Sequence, residues 1–150
     1  MRVLIQRVSQ AKVSVAERIS GQIAHGLLVL IAIENNDTEN DLNWAANKIC
    51  NLRIFEDDEQ RMNRSVLDTQ GDILAVSQFT LFGSYSKGNR PSWGKAAKGE
   101  VSEPLFNAMV LKLSQLLGKP VPTGVFGADM QVALINDGPI TLMIDSKNPE

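Results

Sequence analysis

The sequence predicts an α+β fold in which a mostly antiparallel, barrel-like β-sheet carries two amphipathic helices. Two segments near the N-terminus, Arg2 to Val8 and Lys12 to Ala16, alternate apolar and polar residues as half-buried strands do. The run from Gly26 to Ile33 is continuously apolar, which indicates a strand buried on both faces. Two later segments, 42–52 and 105–117, place apolar residues at helical spacing instead.

Turn signals between these segments predict the remaining strands. We expect a turn near Ser20-Gly21, because serine and glycine favour turn conformations, and a short strand after it. Further strands, for a total of about seven, are expected at Arg53 to Glu56, Asp72 to Thr80, Met130 to Ile135 and Ile140 to Asp145.

Each helix carries its own start signal. Thr38 followed by Asp41 resembles a capping box, with aspartate in place of the usual glutamate. Ser102 is expected to cap the second helix, with Pro104 in its first turn. Gly118 is expected to end that helix, because glycine readily adopts the left-handed conformation that follows a last turn.

Composition narrows the classes of protein. The chain of 150 residues fits one domain, residues 1–150, and its 43% of hydrophobic residues can form a core. The longest apolar run, Leu27 to Ile33, is far shorter than a membrane span, so no membrane partner is expected. The single cysteine, Cys50, excludes an intramolecular disulfide and suits a reducing compartment. Its place on a helix favours a small buried hydrophobe over a nucleophile.

A local cluster of positive charge stands out against a net charge of only −2. Lys87, Arg90, Lys95 and Lys98 lie in a loop-forming segment, 84–99, that has no acidic residue and includes a tryptophan. Such a segment can be a solvated loop. It can equally be a patch that binds phosphate groups, and its position directly after a polar strand end supports that second interpretation.

Several familiar kinds of catalytic site are missing from the sequence. The only histidine, His25, stands at a strand start without a supporting motif, and the chain has no Cys/His cluster. A zinc site or a Ser/His/Asp triad is therefore not predicted. No glycine-rich phosphate loop or dinucleotide fingerprint occurs, so no cofactor and no metal are expected.

Two short polar segments interrupt otherwise apolar strands. The first is Ser77 to Gly83, where Ser77, Gln78 and Thr80 occupy a predicted strand. Buried polar side chains need hydrogen-bond partners, so this segment is either a solvated strand end or the rim of a pocket. In a pocket, backbone N–H groups and the Thr80 hydroxyl would face a substrate oxygen.

The second polar segment is Asn136 to Thr141. Asp-Gly between two strands predicts a hairpin turn. Pro139 complicates this prediction, because proline cannot donate to a strand ladder. From physical reasoning alone the Gly138–Pro139 bond is expected to be trans, since only about 5–6% of X–Pro bonds in folded proteins are cis.

Four motifs together identify a family. They are Met1-Arg2-Val3-Leu4-Ile5-Gln6-Arg7-Val8, Ser77-Gln78-Phe79-Thr80-Leu81, Lys87-Gly88-Asn89-Arg90-Pro91 and Gly138-Pro139-Ile140-Thr141. In this order and spacing the chain resembles the D-aminoacyl-tRNA deacylases along its whole length. Ile140 stands where valine is more common in the family, which is a conservative change.

The resemblance implies a cytoplasmic homodimer without a metal. The activity it implies is hydrolysis of the ester between a D-amino acid and the 3′-terminal adenosine of tRNA. It also implies that Gly138 and Pro139 form a cis bond, reach into the other subunit's pocket and reject L-amino acids by steric exclusion. Glycine has no side chain to exclude, so mischarged glycyl-tRNA is also expected to be a substrate.

The resemblance also places the catalytic residues. It sets Ser77, Gln78, Phe79 and Thr80 around the scissile ester. Because no activating base is evident for Thr80, we favour oxyanion stabilisation by Thr80 and the Phe79 N–H over a nucleophilic role, although the sequence leaves both open.

The resemblance also implies roles for residues around this centre. Arg7 is expected to hold the Gly-Pro segment, and Met130 to line the pocket. Lys87, Arg90, Lys95 and Lys98 are expected to contact phosphates of the tRNA acceptor end.

Two other classes of function remain open from the sequence. The first is a non-catalytic β-rich module that binds RNA or a metabolite, which the lack of a strong acid or base favours. The second is a hydrolase with different stereospecificity, such as one that edits L-aminoacyl esters.

Overall fold

The computed structural model describes residues 1–150 and contains two α-helices, seven strands and one short 3₁₀ helix. The strands are β1 (Arg2–Val15), β2 (Arg18–Ile23), β3 (Gly26–Ala32), β4 (Phe55–Glu56), β5 (Met62–Arg64), β6 (Asp72–Ser77) and β7 (Gln131–Asp145). The helices are α1 (Glu39–Asn51) and α2 (Gly99–Leu117), and the 3₁₀ helix spans Phe79–Phe82. These elements confirm the predicted α+β class.

Five strands form one sheet. Four of them lie in the order β2-β1-β3-β6, and the fifth, β7, pairs with β1. Only the β3–β6 pair is parallel, so the sheet is mostly antiparallel as predicted. The first half of β1 pairs with β3 and its second half pairs with β2, while β7 runs beside β1 along its whole length. This switch of partners along one long strand curls the sheet into half a barrel.

The N-terminal segment is one strand rather than the two predicted. The pairing of β1 with β7 has register shifts between Gln6 and Val8 and between Val8 and Gln10. Two successive buried residues, Arg7 and Val8, accordingly interrupt the alternation of burial along β1. The sequence therefore shows an apparent strand end where the structure has a bulge, because a bulge shifts the period-2 pattern by one residue.

The predicted turn near Ser20-Gly21 was also wrong. Ser20 and Gly21 lie inside β2, and the turn is formed by Ala16 and Glu17, with φ of 49° and 67°. Gly21 is needed for a close approach, since a Cβ there would lie 2.7 Å from the carbonyl oxygen of Thr123. A glycine that signals a turn in the sequence is here a packing requirement.

The two helices pack on one face of the sheet. The main core of 22 buried residues joins that face to α1 and α2, and a smaller cluster of seven covers the other face. Along β3, Leu27, Val29 and Ile31 belong to the main core, whereas Leu28 belongs to the smaller cluster. This two-sided burial confirms the strand predicted from the continuous apolar run. Cys50 is fully buried in the main core, and burial raises the pKa of its thiol to about 11.

The helix ends match the predictions in part. The Asp41 carboxylate accepts hydrogen bonds from the Thr38 backbone N–H at 2.8 Å and from its hydroxyl at 3.1 Å, which confirms a capping interaction at α1. Helix α2 begins at Gly99, so Ser102 is not its cap but donates to the Lys98 carbonyl oxygen at 3.0 Å. Gly118 ends α2 with φ of 77°, as predicted. Neither helix has the length and apolar character needed to cross a membrane.

Candidate active site

The first polar segment is a strand end followed by a tight helical turn. Strand β6 stops at Ser77, and its hydrogen-bonding continues for one residue, with Gln78 N–H donating to the Ile31 carbonyl oxygen at 2.8 Å. The 3₁₀ helix Phe79–Phe82 follows directly, so the strand predicted to reach Thr80 was wrong beyond Ser77. The change of direction presents backbone groups rather than alternating side chains at the carboxyl end of β6.

Two backbone donors at this turn are free. The first residues of a helix have no intrahelical acceptor for their N–H groups. Phe79 and Thr80 occupy this position, and neither N–H donates a hydrogen bond within the chain. Adjacent free N–H groups are the arrangement that stabilises negative charge on a carbonyl oxygen during acyl transfer.

The Thr80 hydroxyl has one hydrogen-bond partner, the side-chain amide of Gln78. The amide nitrogen donates and the hydroxyl oxygen accepts, which leaves the hydroxyl hydrogen available to another group. No carboxylate or imidazole contacts Thr80, and His25 instead packs against Phe55 with ring centroids 5.1 Å apart. Thr80 therefore lacks the adjacent base that a hydroxyl nucleophile requires.

A small pocket opens beside these residues. Its volume is about 130 Å³, and Ser77, Gln78 and Phe79 are among its lining residues. Phe106 and Phe126, whose ring centroids are 6.0 Å apart, line it as well. Typical ligand pockets measure about 300–1,000 Å³, so this one accommodates only a part of a ligand, such as a single ring system.

The second polar segment is an excursion within one strand and not the predicted hairpin. Strand β7 pairs with β1 on both sides of it, through Ile135 opposite Gln10 and Thr141 opposite Gln6. Residues 136–139 are exposed, and the Gly138–Pro139 bond is cis, whereas physical reasoning from the sequence alone favoured trans. An excursion of this kind projects the Gly-Pro pair away from the sheet.

Arg7 anchors the excursion from a buried position. Its side chain donates to the Asp137 carbonyl oxygen at 3.2 Å and to the Ile54 carbonyl oxygen at 2.6 Å, and it pairs with the Asp137 carboxylate at 3.1 Å. From the other direction, the Asn136 side-chain amide donates to the carbonyl oxygens of Arg7 at 2.9 Å and Ile140 at 3.0 Å. Asn136 was missed as an anchor, because asparagine beside Asp-Gly looks like part of an ordinary turn.

Within one chain the two polar segments lie far apart. Strands β3 and β1 separate β6 from β7, and three strand spacings of about 4.8 Å amount to roughly 14 Å. Ser77 is level with Ile31 on β3, whereas the excursion is level with Leu27, the partner of Arg7. This offset of four residues adds roughly 13 Å along the strands. Neither Gly138 nor Pro139 is among the residues that line the pocket of the same protomer.

Met130 belongs to a third location. It lies directly before β7 and packs against the smaller hydrophobic cluster, on the sheet face opposite the helices. Its sulfur occupies space that a Cβ at Gly124 would need. Met130 is not among the residues that line the pocket beside Ser77.

The basic loop is exposed and carries uncompensated charge. Lys87, Arg90, Lys95 and Lys98 are all exposed, and none takes part in an ion pair. Reciprocal backbone hydrogen bonds of 2.8 and 2.9 Å between Ser84 and Ser92 close the base of this loop. The chain thus presents four free cations on a segment that directly follows the 3₁₀ helix.

Arg2 fixes the far end of the 3₁₀ helix. Its guanidinium donates to the Leu81 carbonyl oxygen at 3.1 Å and to the Asp145 carboxylate at 3.0 Å, and it lies 4.7 Å from the centre of the Phe82 ring. Burial alone would raise the pKa of Asp145, but hydrogen bonds from the Lys147 N–H and Arg2 lower it, so the carboxylate remains charged. Arg2 belongs to a matching motif of the sequence, but no local signal there predicted this role for it.

Comparison with known proteins identifies the family. The family model described as D-Tyr-tRNA(Tyr) deacylase matches residues 4–145. The chain belongs to this deacylase family. Among similar relatives named D-aminoacyl-tRNA deacylase, that of Dechloromonas aromatica is 63% identical and that of Chromobacterium violaceum 58% identical, each over 150 residues and with 100% of both chains covered. These relatives confirm the family expected from the four motifs.

Solved structures show that the deacylase shares its fold with known proteins. One described as c-Myc DNA Unwinding Element Binding Protein has a TM-score of 0.91 and 38% identity, covering 97% of this chain and 98% of that chain. Another, described as a probable eukaryotic D-amino acid tRNA deacylase, has a TM-score of 0.82 and 21% identity, covering 95% and 97%. The second similarity shows the fold alone. No group of three or more His, Cys, Asp or Glu side chains in the deacylase is arranged to hold a metal ion.

Proposed function

We propose that this chain hydrolyses the ester bond of D-aminoacyl-tRNA and releases a free D-amino acid and tRNA. The observation that carries the proposal is the pair of free N–H groups on Phe79, which lines the ring-sized pocket, and on the adjacent Thr80. Membership of the deacylase family supplies the substrate class. The same chemistry serves chiral proofreading and quality control in translation.

The reaction needs stabilisation of charge more than a strong base. Water adds to the ester carbonyl carbon, and the oxygen that gains negative charge accepts hydrogen bonds from the Phe79 and Thr80 N–H groups. The C–O bond to the ribose then breaks, and the ribose oxygen leaves with a proton. The Thr80 hydroxyl, oriented by the Gln78 amide, positions the ester or the water. The neighbouring 2′-hydroxyl of the RNA helps activate the water, which is consistent with the lack of a base beside Thr80.

The pocket beside Ser77 fits the terminal adenine. The purine is planar, and Phe106 and Phe126 offer aromatic surface for its face. With the base held there, the attached ribose and its ester extend toward the free N–H groups. Phosphates of the acceptor end then lie on the side of the basic loop, where Lys87, Arg90, Lys95 and Lys98 are unpaired.

A homodimer completes the site in this proposal. Strand β7 pairs with β1 along one edge, and its other edge is unpaired along the strand's 15 residues. On this strand the side chains of Ile135 and Met143 are 52% and 50% exposed. A long, apolar, uncovered edge strand is a surface that proteins normally bury. A second copy on β7 would cover it and deliver Gly138–Pro139 to the partner's pocket, which these residues do not line in their own chain.

The Gly-Pro segment then acts as the chiral filter. Held by Arg7 and Asn136, its carbonyl oxygens accept from the substrate amino group and crowd the position of an L side chain. Glycyl-tRNA passes this filter because glycine has no side chain. We place the reaction in the cytoplasm, where aminoacyl-tRNA is used, with no cofactor and no metal.

The decisive experiment compares hydrolysis of D-tyrosyl-tRNA and L-tyrosyl-tRNA, each with a chelator present. Rapid loss of the D ester alone supports the activity, the filter and the metal-free mechanism together. Loss of both esters retains a hydrolase and removes the filter. If neither ester is lost while tRNA still binds, the protein is a binding module instead. Light scattering adds the test of the dimer, and a fully active monomer would contradict it.

A further inference from the structure

The exposed aromatic residues of the chain are concentrated in one place. Of its eight aromatic side chains, three are exposed, namely Phe79, Tyr85 and Trp93, by 53%, 80% and 40%. All three lie in the segment 77–99, which also has four cations and no acidic residue. Aromatic rings among cations are the surface that single-stranded nucleic acids bind, because every base has a π-face and every phosphate is negative. An apolar protein partner would instead meet four unpaired charges here.

The Trp93 indole is held in position before any ligand arrives. Its ring meets the Phe79 ring nearly edge-on, with centroids 5.5 Å apart and an interplanar angle of 83°. Gly83 makes room for it, since a Cβ there would lie 2.8 Å from the indole Cζ3. The Ala96 N–H donates to the Trp93 carbonyl oxygen at 3.0 Å and fixes the backbone at this point. A preorganised ring loses little conformational entropy on binding.

Phe79 connects this ring to the pocket, because it lines the pocket and also contacts Trp93. With the terminal adenine in the pocket, the preceding nucleotide is joined to it by a single phosphodiester and has the Phe79 side of the pocket within reach. We propose that Trp93 is the stacking platform for the base that precedes the terminal adenosine of the unpaired 3′ end. This inference rests on the proposed function, and it assigns to Trp93 a role in binding tRNA that is separate from the chemistry at the ester.

The test compares two substrates that share the terminal D-tyrosyl-adenosine and differ in whether nucleotides precede it. D-Tyrosyl-tRNA has the preceding nucleotides, whereas D-tyrosyl-adenosine has none. The measured quantity is the ratio of kcat/KM on the first substrate to kcat/KM on the second. Loss of base stacking lowers this ratio about tenfold in Trp93→Ala and Trp93→Leu. Trp93→Phe retains most of it, because phenylalanine can still stack. Leucine fills the space beside Phe79 but cannot stack on a base. The Trp93→Leu variant therefore distinguishes loss of base stacking from loss of packing against the turn.

Two controls sharpen the result. Leu111→Ala removes an apolar side chain that is 60% exposed on α2, and both rates should stay at the wild-type values. The second control is the slope of log kcat/KM for tRNA against the logarithm of the salt concentration. This slope should be unchanged in Trp93→Leu. In Arg90→Ala it should fall by about one, as loss of a phosphate contact predicts. A ratio that is unchanged in Trp93→Ala, or equal in the leucine and phenylalanine variants, would overturn the proposal.

A binding measurement keeps the inference independent of turnover. In a Trp44→Phe background Trp93 is the only tryptophan, because the chain has two. Binding of uncharged tRNA with an intact 3′ end should change the fluorescence of Trp93. Binding of tRNA that lacks the last two nucleotides should leave it unchanged. Unchanged fluorescence with bound intact tRNA would contradict stacking. Absence of hydrolysis in the wild type, with this fluorescence change present, would count against the proposed activity and not against the platform.

Discussion

The guanidinium of Arg2 donates a hydrogen bond of 3.1 Å to the carbonyl oxygen of Leu81. This contact ties the first strand of the sheet to the 3₁₀ helix that carries the free N–H groups of Phe79 and Thr80. The same guanidinium bonds to Asp145 on β7, so one side chain couples the turn to the strand that bears the Gly-Pro excursion. Catalysis by backbone donors depends on such anchoring, because a backbone group cannot change its rotamer to correct a displacement.

Replacement of Arg2 tests this anchoring. In Arg2→Ala the 3₁₀ helix loses its tether, and we expect kcat for D-aminoacyl-tRNA to fall about 10- to 100-fold with a smaller change in KM. Arg2→Lys keeps the charge but not the planar fork, so it should be intermediate. Arg64→Ala is the matched control, since Arg64 pairs at the surface with Asp58. Equal loss of activity in Arg64→Ala, or a change confined to KM in Arg2→Ala, would argue against positioning.

Thr80→Ala tests the role of the hydroxyl. Because the oxyanion donors are backbone groups, the variant should lose rate, on the order of 100-fold, and retain measurable turnover. Thr80→Ser keeps the hydroxyl and should recover most of the rate. Single-turnover kinetics on D-tyrosyl-tRNA would measure both. Complete loss in a folded Thr80→Ala that still binds substrate would indicate a nucleophile instead.

Gly138→Ala separates folding from function. Within the protomer a Cβ at Gly138 would meet only the Asn136 side-chain oxygen, at 3.8 Å, so the variant should unfold at the wild-type temperature. In the proposed dimer the added methyl group narrows the partner's pocket, and turnover of D-tyrosyl-tRNA should fall at least about tenfold. Leu111→Ala is the control, because this side chain is 60% exposed on α2 and lies outside the site. Normal turnover by Gly138→Ala would remove this residue from the site.

Asp41 makes the stability of the fold depend on pH. Burial alone would raise its pKa, but hydrogen bonds from the Thr38 N–H and the Lys147 ammonium outweigh burial and hold the pKa well below its usual range. A carboxyl group whose pKa is lower in the folded state than in the unfolded state stabilises the protein. This stabilisation is complete above the unfolded-state pKa of about 4 and is lost as the pH falls from there toward the folded-state pKa. Asp41→Asn should therefore lower the free energy of unfolding at pH 7 by about 1 kcal/mol.

The difference between wild type and Asp41→Asn should shrink when unfolding is measured at pH 3. Asp58→Asn is the control, since the Asp58 side chain is 93% exposed and exposed pairs contribute about 0–1 kcal/mol. A difference that is constant from pH 7 to pH 3 would show that Asp41 acts through packing rather than through its charge.

The sequence by itself determined the elements whose signals are local. The continuous apolar run of β3, the Thr38–Asp41 cap and the Gly118 helix end follow from periodicity and from short-range hydrogen bonding, and all were found as predicted. The family also followed from the sequence, through four motifs in a fixed order. None of these depends on which strands become neighbours.

Only the tertiary structure decided the features that require pairing between distant segments. The bulge in β1, the unbroken course of β7 and the end of β6 at Ser77 are set by strand partners far away in the chain. The free N–H groups of Phe79 and Thr80, and the anchor from Arg2 to Leu81, have the same origin. The physical reason is that a residue's own preferences specify its local conformation, whereas its partners are chosen by packing of the whole sheet.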